Sequence, residues 1–369
     1  LEEEKRLKVN NQNKKILYIV ESFGSGVFSF LVDLINNIDT DYEVVIAYGV
    51  REETLPNFKQ YFNENVKFIK VENFIRNINP FKDIKALIEI KQIVKKEKPD
   101  IVHLHSSKAG ILGRLAVNGN KIKMFYNPHG FSFLKMDDSK FKRMIYWWIE
   151  KITAMFNRKC TIVGCSNGEY EEALKLNKNS VCINNGINID KIKKETVSLM
   201  KKKVDYENLK ICTVGRISYQ KNPDMFNQVA ERFPNIAFTW IGDGDKKYFL
   251  KSPNIKISGW KSRQDVLRIL NENDIFILPS LWEGLPISLL EAMYLKKICI
   301  VSNVIGNRDV IIDGNNGFIS NSCKEYCGKI EYIKNNPSII GKIIKKAFDD
   351  VNEKFCTDRM CSEYKKIYG

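Results

Sequence analysis

The chain has only three histidines, His103, His105 and His129, and its nine cysteines are scattered with no Cys-x-x-Cys pair. Zinc fingers and ribbons need paired thiolates or imidazoles at close spacing, so those classes are excluded. Cys323/Cys327 and Cys356/Cys361 do not make a recognised zinc spacing; reduced thiols packed as small core residues are expected. Long apolar runs are missing too. None approaches the roughly 18 residues that span a bilayer, and the opening LEEEKRLKVNNQNKK does not read as a signal peptide, so a cytoplasmic protein is expected. Nor is the net charge of +15 gathered into one basic module, because residues 1–190 and 191–369 both carry modest excesses. A nucleic-acid binder needs a focused basic groove with stacking aromatics, so nucleic acid is not an expected partner. One local concentration stands out: residues 108–159 hold 11 Lys and Arg against 3 Asp and Glu.

What is present is the composition of a folded protein, 44% hydrophobic and 28% charged over 369 residues, enough for two domains with separate cores. Strands are predicted at 16–20, 43–47, 101–105, 123–126 and 160–165, with helices at 28–35 and 85–96. The pattern ends in Asn/Gly at 184–186 and passes through a Lys-rich stretch, 191–203, read as an interdomain linker. It restarts with strands at 209–214, 238–241, 255–258, 275–278 and 298–301, and a helix is expected over 355–368. Such alternation predicts an α/β fold with two doubly wound parallel sheets, binding ligands at the strands' carboxyl ends.

The stretch SLWEGLPISLLEA carries the most chemistry. The strand 275–278 is ended by Pro279, which puts Glu283 in the loop beyond a strand's carboxyl end. Pro286 suits the first position of a helix, and the amides of Leu285, Ile287 and Ser288 would then be unpaired donors at a positive helix end, a seat for a diphosphate. Glu291, about a turn and a half further on, could accept hydrogen bonds from paired hydroxyls such as those of a ribose. A solvated loop glutamate and an exposed helix glutamate are the plain alternative. Arg216 and Lys221 follow the first strand of the second half, where a cation would face the same cleft.

The E-x7-E spacing of Glu283 and Glu291 resembles the signature of the retaining nucleotide-sugar glycosyltransferases of family 4, which have the GT-B architecture: two Rossmann-like domains facing across a cleft. The stretch HLHSSKAGILGRLA resembles a subgroup of that family associated with bacterial surface polysaccharides. Covering nearly the whole chain, the resemblance implies an acceptor-binding domain at 14–190, a nucleotide-sugar-binding domain at 191–350 and a helix in 351–369 that crosses back to the first domain. It implies that Glu283 contacts the donor sugar, Glu291 the ribose, and Arg216 and Lys221 the diphosphate, with Gly284, Leu285, Pro286 and Ile287 beside it. His129, in Asn127-Pro128-His129-Gly130, would hydrogen-bond the donor hexose and help hold the transition state. Cations and amides would neutralise the leaving diphosphate, so no metal or other cofactor is expected.

Other positions keep more than one reading. Gly24-Ser25-Gly26 is an incomplete dinucleotide fingerprint, with Ser29 in the third glycine's place; it is also a tight turn, or the family's loop that approaches the donor phosphates. His103 and His105 share one face of a strand, a geometry open to metal, but no further ligands gather in the sequence. His105, Ser106, Ser107 and Lys108 at that strand's end are expected to line the acceptor side of the cleft. Asp39-Thr40-Asp41 and Asp243-Gly244-Asp245 both spell the Asp-x-Asp of metal-dependent transferases; the first lies in a polar turn, and Asp243 matches a backbone turn of the family near the donor. Trp260 would stack on the nucleobase or belong to the core. Asp309 stands where many members have the Glu of a Gly-Gly-x-x-Glu loop, so sugar specificity does not carry over. Ser166-x-x-Glu169 reads as a capping box.

Residues 139–158 place Phe141, Met144, Ile145, Trp147, Trp148, Ile152 and Met155 at helical spacings among Lys140, Lys142, Arg143 and Lys151. This helix either covers the first sheet or presents aromatic and basic residues to an anionic membrane. The combined expectation is a transferase of a hexose or N-acetylhexosamine, from a uridine-based nucleotide sugar to a hydroxyl of a lipid-linked or membrane-proximal glycan, working in the cytoplasm or at the inner face of the cell membrane. A nucleotide-sugar epimerase or other enzyme of the same fold is the alternative. A nicotinamide-dependent oxidoreductase is disfavoured by the broken glycine fingerprint.

Overall fold

The structure is a computed structural model, describing residues 13–21, 23–38, 42–51, 54–197 and 204–369. Asp39-Thr40-Asp41, most of the opening segment and residues 198–203 of the expected linker lie outside the described residues.

Seven strands form the first sheet: β1 (Lys14–Val20), β2 (Tyr42–Tyr48), β3 (Lys67–Lys70), β4 (Ile101–His105), β5 (Lys123–Asn127), β6 (Thr161–Gly164) and β7 (Ser180–Cys182). Their order is β3-β2-β1-β4-β5-β6-β7, all parallel. Side chains alternate across a strand, so Ile16, Tyr18 and Val20 enter one core cluster and Leu17 and Ile19 the other, all fully buried. Burial on both faces is why β1 reads as a continuous apolar run. The helices are α1 (Ser25–Asn37), α2 (Pro80–Glu97), α3 (Ser107–Ala116), α4 (Lys140–Phe156) and α5 (Asn167–Leu176). Asn79 caps α2, its side chain accepting from Lys82 N at 3.1 Å with Pro80 at the first turn.

The second sheet repeats the plan with β8 (Lys210–Val214), β9 (Ala237–Ile241), β10 (Ile255–Ile257), β11 (Ile275–Leu278), β12 (Ile298–Val301) and β13 (Phe318–Ile319), in the order β10-β9-β8-β11-β12-β13. Its helices are α6 (Ile189–Thr196), α7 (Pro223–Arg232), α8 (Arg263–Asn271), α9 (Ile287–Tyr294), α10 (Asn307–Val310), α11 (Cys323–Asn335) and α12 (Pro337–Lys354). The expected linker at 191–203 is replaced through Thr196 by α6, whose Ile192 is buried in the second domain's core.

The chain crosses between the domains at two points that lie side by side. Ile187 N donates to Phe355 O at 2.9 Å and Thr357 N donates to Ile187 O at 3.0 Å. A Cβ on Gly186 would stand 2.4 Å from Cys356 O, so only glycine permits this approach. Val351 and Phe355 still pack in the second core, which moves the return crossing to Cys356 rather than 351. Beyond it α13 (Thr357–Tyr368) packs on the first sheet, its Tyr364 hydroxyl accepting from Asn127 Nδ2 at 2.8 Å and its Tyr368 hydroxyl 2.6 Å from His103 Nδ1.

Helix α4 does not bury its apolar stripe. Tyr146 and Trp147 pack inward and Glu150 is paired with Arg114 in the core, while Phe141, Met144, Trp148, Ile152, Met155 and Phe156 are exposed. One face of the helix covers the first core while the other stays exposed.

Candidate active site

Both sheets reverse their strand order between the first and fourth strands, β1/β4 and β8/β11, and the site loops leave from these switch points. In the second domain the loops after β8 and β11 are tied together. Leu281 N donates to Gln220 O at 2.8 Å, and Gln220 Nε2 donates to Trp282 O at 2.9 Å. This brings Lys221 Nζ to 2.6 Å from Glu283 Oε1, a charge-assisted bond on a carboxylate that is 7% exposed. Glu283 is therefore no solvated loop glutamate. Arg216 lines the cleft, its Nη2 3.8 Å from Asp245 Oδ1.

The turn at Gly242-Asp243-Gly244 packs against the Arg216 loop. Ile217 N donates to Asp243 O at 2.9 Å, and a Cβ on Gly242 would lie 2.2 Å from Gly215 O. Asp243 thus serves through its backbone, and its carboxylate accepts from Gly244 N at 2.7 Å. Pro286 is the cap of α9 rather than its first residue, because its backbone is extended. The amides of Leu285, Ile287 and Ser288 meet no acceptor among the described residues.

Glu291 is buried in α9 with Arg263 Nη1 at 2.5 Å. Sequence reasoning missed Arg263, which carries no motif and meets Glu291 only because α8 packs on α9. Around it stand Glu195 of α6, with an oxygen 3.9 Å from Arg263 Nε, and Asp33 of α1. Burial pushes Asp33 up to about 6, against the pull of Arg263 and Lys191. Trp260 is 60% exposed, which removes the core reading and leaves its ring free at the end of β10.

Across the cleft, His129 and Gly130 both have positive φ, 53° and 95°. A histidine held there is strained unless its surroundings fix it. Glu169 does so: its carboxylate accepts from Gly130 N at 2.5 Å and from Cys165 N at 2.8 Å. The expected capping box is thus only half formed. Ser166 Oγ accepts from Glu169 N at 3.3 Å, but the Glu169 carboxylate goes to the His129 turn. Burial raises the Glu169 carboxyl above its ordinary range.

His105 does not line the cleft as expected. It is fully buried behind His129, its Nδ1 2.9 Å from His129 Nε2 and its own Nε2 without a partner among the described residues. Its strand runs into the middle of the sheet, so its ring is covered by Tyr18 and Phe30. His103 is equally buried, 2.6 Å from both Tyr368 Oη and Asn127 Oδ1. Burial lowers His103 and His129 to about 3 and His105 well below its ordinary value, so all three are neutral at physiological pH.

A cavity of about 610 Å³ joins the two sides, lined by Ser106, Ser107, Lys108 and His129 from the first domain and Arg216, Glu283 and Gly284 from the second. Lys108 is paired with Asp83 at 2.8 Å. Gly284 touches the His129 turn so closely that a Cβ would lie 3.0 Å from Gly130 N. Gly24 opens α1 and Gly26 faces open space; their neighbours Glu21 and Val27 line the cavity. Asp309 accepts from Gly306 N at 2.9 Å and, across the domains, from Gly168 N at 3.1 Å. That carboxylate is spent on holding the halves together. Asn185 Nδ2 adds a second tie, to Leu285 O at 3.1 Å.

Two facing Rossmann-like sheets with a basic and acidic cleft at their switch points define a GT-B protein. Residues 24–191 match the family model described as Glycosyltransferase Family 4, and residues 198–350 match Glycosyl transferases group 1. The chain is 35% identical over 70% of its length, and 72% of the relative's, to a UDP-Gal:alpha-D-GlcNAc-diphosphoundecaprenol alpha-1,3-galactosyltransferase of Escherichia coli. It is 24% identical, over 94% of the chain and 96% of the relative, to an N,N'-diacetylbacillosaminyl-diphospho-undecaprenol alpha-1,3-N-acetylgalactosaminyltransferase of Campylobacter jejuni. Sucrose-phosphate synthase of Thermosynechococcus elongatus shares the fold with a TM-score of 0.77 at 15% identity, covering 96% of this chain and 98% of that one. Anabaena HepE in complex with UDP and glucose does so with a TM-score of 0.75 at 15% identity, covering 96% and 99%. The chain belongs to glycosyltransferase family 4, and its relatives act in bacterial polysaccharide and O-antigen synthesis.

Proposed function

We propose that the protein is a retaining transferase that moves a hexose or N-acetylhexosamine from a uridine-diphosphate sugar to a hydroxyl of a diphosphate-linked lipid glycan. The observation that carries this reading is the Lys221–Glu283 pair, set beside the unpaired amides at the start of α9 and directly across from the His129 turn. A donor diphosphate lies on those amides with Arg216 and Lys221 as counter-cations, its ribose on Glu291 and its base against the end of β10 near Trp260. Glu283 and His129 then hold the hexose from opposite sides. The leaving phosphate oxygen takes the acceptor's proton on the face from which it departs, and its developing charge is met by donors already in place. In this reading the cations do the neutralising, and no metal is required.

The names of the two relatives above support the lipid-diphosphate acceptor and the galactosyl or N-acetylgalactosaminyl class of donor. The exposed apolar stripe of α4, with Lys140, Lys142 and Lys151 beside it, supports work at a membrane surface. No helix among the described residues is long and apolar enough to cross a membrane. The test is to incubate the protein with uridine, guanosine and thymidine sugars, with and without a lipid-diphosphate glycan, and follow the anomeric signal by NMR. Transfer with retained configuration is expected. Inverted product, isomerisation of the donor without acceptor, or no turnover of any of them overturns the reading.

A further inference from the structure

Four cations of the first domain line the cavity: Arg51 after β2, Arg76 before α2, Lys108 in α3 and Lys135 before α4. Arg51 is committed to Glu21, through Nε at 3.1 Å and Nη2 at 2.5 Å. The side chains of Arg76 and Lys135 make no ion pair or hydrogen bond among the described residues, although the neighbouring Lys108 is matched by Asp83 and Lys142 by Asp138. Lys135 is held below its ordinary range by burial, with Arg51 and Arg76 adding to that and Asp137 and Asp138 opposing it. A half-buried ammonium with no close ionic partner is unfavourable as it stands, and an anion with several acceptor oxygens supplies one.

The position of these cations says which anion. Arg76 is followed by Ile78, Phe81, Ile84 and Ile88, and Lys135 by Met136 and the α4 stripe, all exposed. Two apolar ridges therefore begin in the chain where the cations stand, and the cations share one cavity lining with His129 and Glu283. A ligand with an apolar tail, an anionic junction and a sugar head fits that sequence of surfaces. We propose that Arg76 and Lys135 seat the diphosphate that joins the acceptor glycan to its lipid. This rests on the lipid-linked acceptor assigned above.

The test uses the whole chain and farnesyl diphosphate, a short isoprenoid diphosphate, with binding followed by calorimetry. Removing two charge-assisted partners in R76A/K135A is expected to weaken binding about tenfold or more, while K221A changes it by less than about twofold. R76K/K135R, which keeps the charges, is expected to restore most of the affinity. Unchanged binding in R76A/K135A, or loss in K221A instead, overturns the proposal. Phosphatidylglycerol vesicles separate the two sources of phosphate: a double variant that loses vesicle binding but keeps farnesyl diphosphate shows that the cations serve headgroups, and overturns it also. Slow hydrolysis of the nucleotide sugar without acceptor reads the transferase assignment separately. It is expected to be unchanged in R76A/K135A, and its absence in the unaltered protein sinks the transferase reading while the farnesyl diphosphate result still decides the site.

Discussion

The imidazole of His105 stands directly behind that of His129, Nδ1 to Nε2 at 2.9 Å, with the far nitrogen of His105 buried and unpartnered. An orphaned buried acceptor is less costly than an orphaned N–H, so His105 is assigned as the donor and His129 as the acceptor at Nε2. In the proposed reading, His129 Nδ1–H is then the group left to bond the donor sugar. Replacing His129 with Ala is expected to lower kcat about 100-fold, the loss of one preorganised donor. His105→Leu leaves His129 in place without its orienting partner and is expected to lower kcat about tenfold. Steady-state kinetics with unchanged donor KM in His105→Leu distinguishes orientation from a general loss of fold.

Glu283→Gln removes the charge that faces Lys221 and, in the proposed reading, the sugar, and kcat is expected to fall about 100-fold or more. Full activity, or a glycosyl-enzyme trapped by mass spectrometry, would refute its role as sugar positioner. Lys221→Ala leaves the Glu283 carboxylate buried without its counter-cation and is expected to cost about 2 kcal/mol of stability, less than for a fully buried pair because Lys221 is partly exposed. Urea titration measures it.

Acid should destabilise the protein from about pH 6.5 downward. His103 and His129, at about 3, and His105, well below its ordinary value, stay neutral in the fold, whereas the unfolded chain binds protons on them below about 6.5. Each contributes up to about 1.4 kcal/mol per pH unit of lost stability. Asp33, raised to about 6, works the other way: its folded form takes up a proton as the pH falls through 6. The net slope between pH 6 and 5 is thus set by three histidines against Asp33. His103→Asn is expected to flatten that slope by about one proton, checked by urea midpoints at several pH values.

Met144→Glu/Trp148→Glu places two acids in the exposed stripe of α4. Cosedimentation with anionic vesicles is expected to be lost, while thermal stability moves by no more than about 1 kcal/mol because neither side chain is in the core. Equal vesicle binding in the variant would return α4 to a plain covering helix.

The two α/β domains were legible in the sequence, because parallel strands buried on both faces must be written as short apolar runs, as at Ile16–Val20 and Ile275–Leu278. The sequence also placed Arg216, Lys221 and Glu283 in loops at strand ends, since strand, glycine and proline are local signals. The strands β3, β7 and β13 were not legible, being edge or near-edge strands of two to four residues with weak apolar patterns. Nor was the crossing at Ile187 and Cys356, since its hydrogen bonds join segments far apart in the chain. Packing between distant elements sets His105 behind His129 rather than in the cleft, turns Glu169 to the His129 turn, and brings Arg263 to Glu291. Each of these is a contact between elements whose separation in sequence carries no periodicity. The same holds for the unpaired Arg76 and Lys135. Whether a cation has a partner depends on which carboxylates packing brings within reach, and no local pattern encodes that.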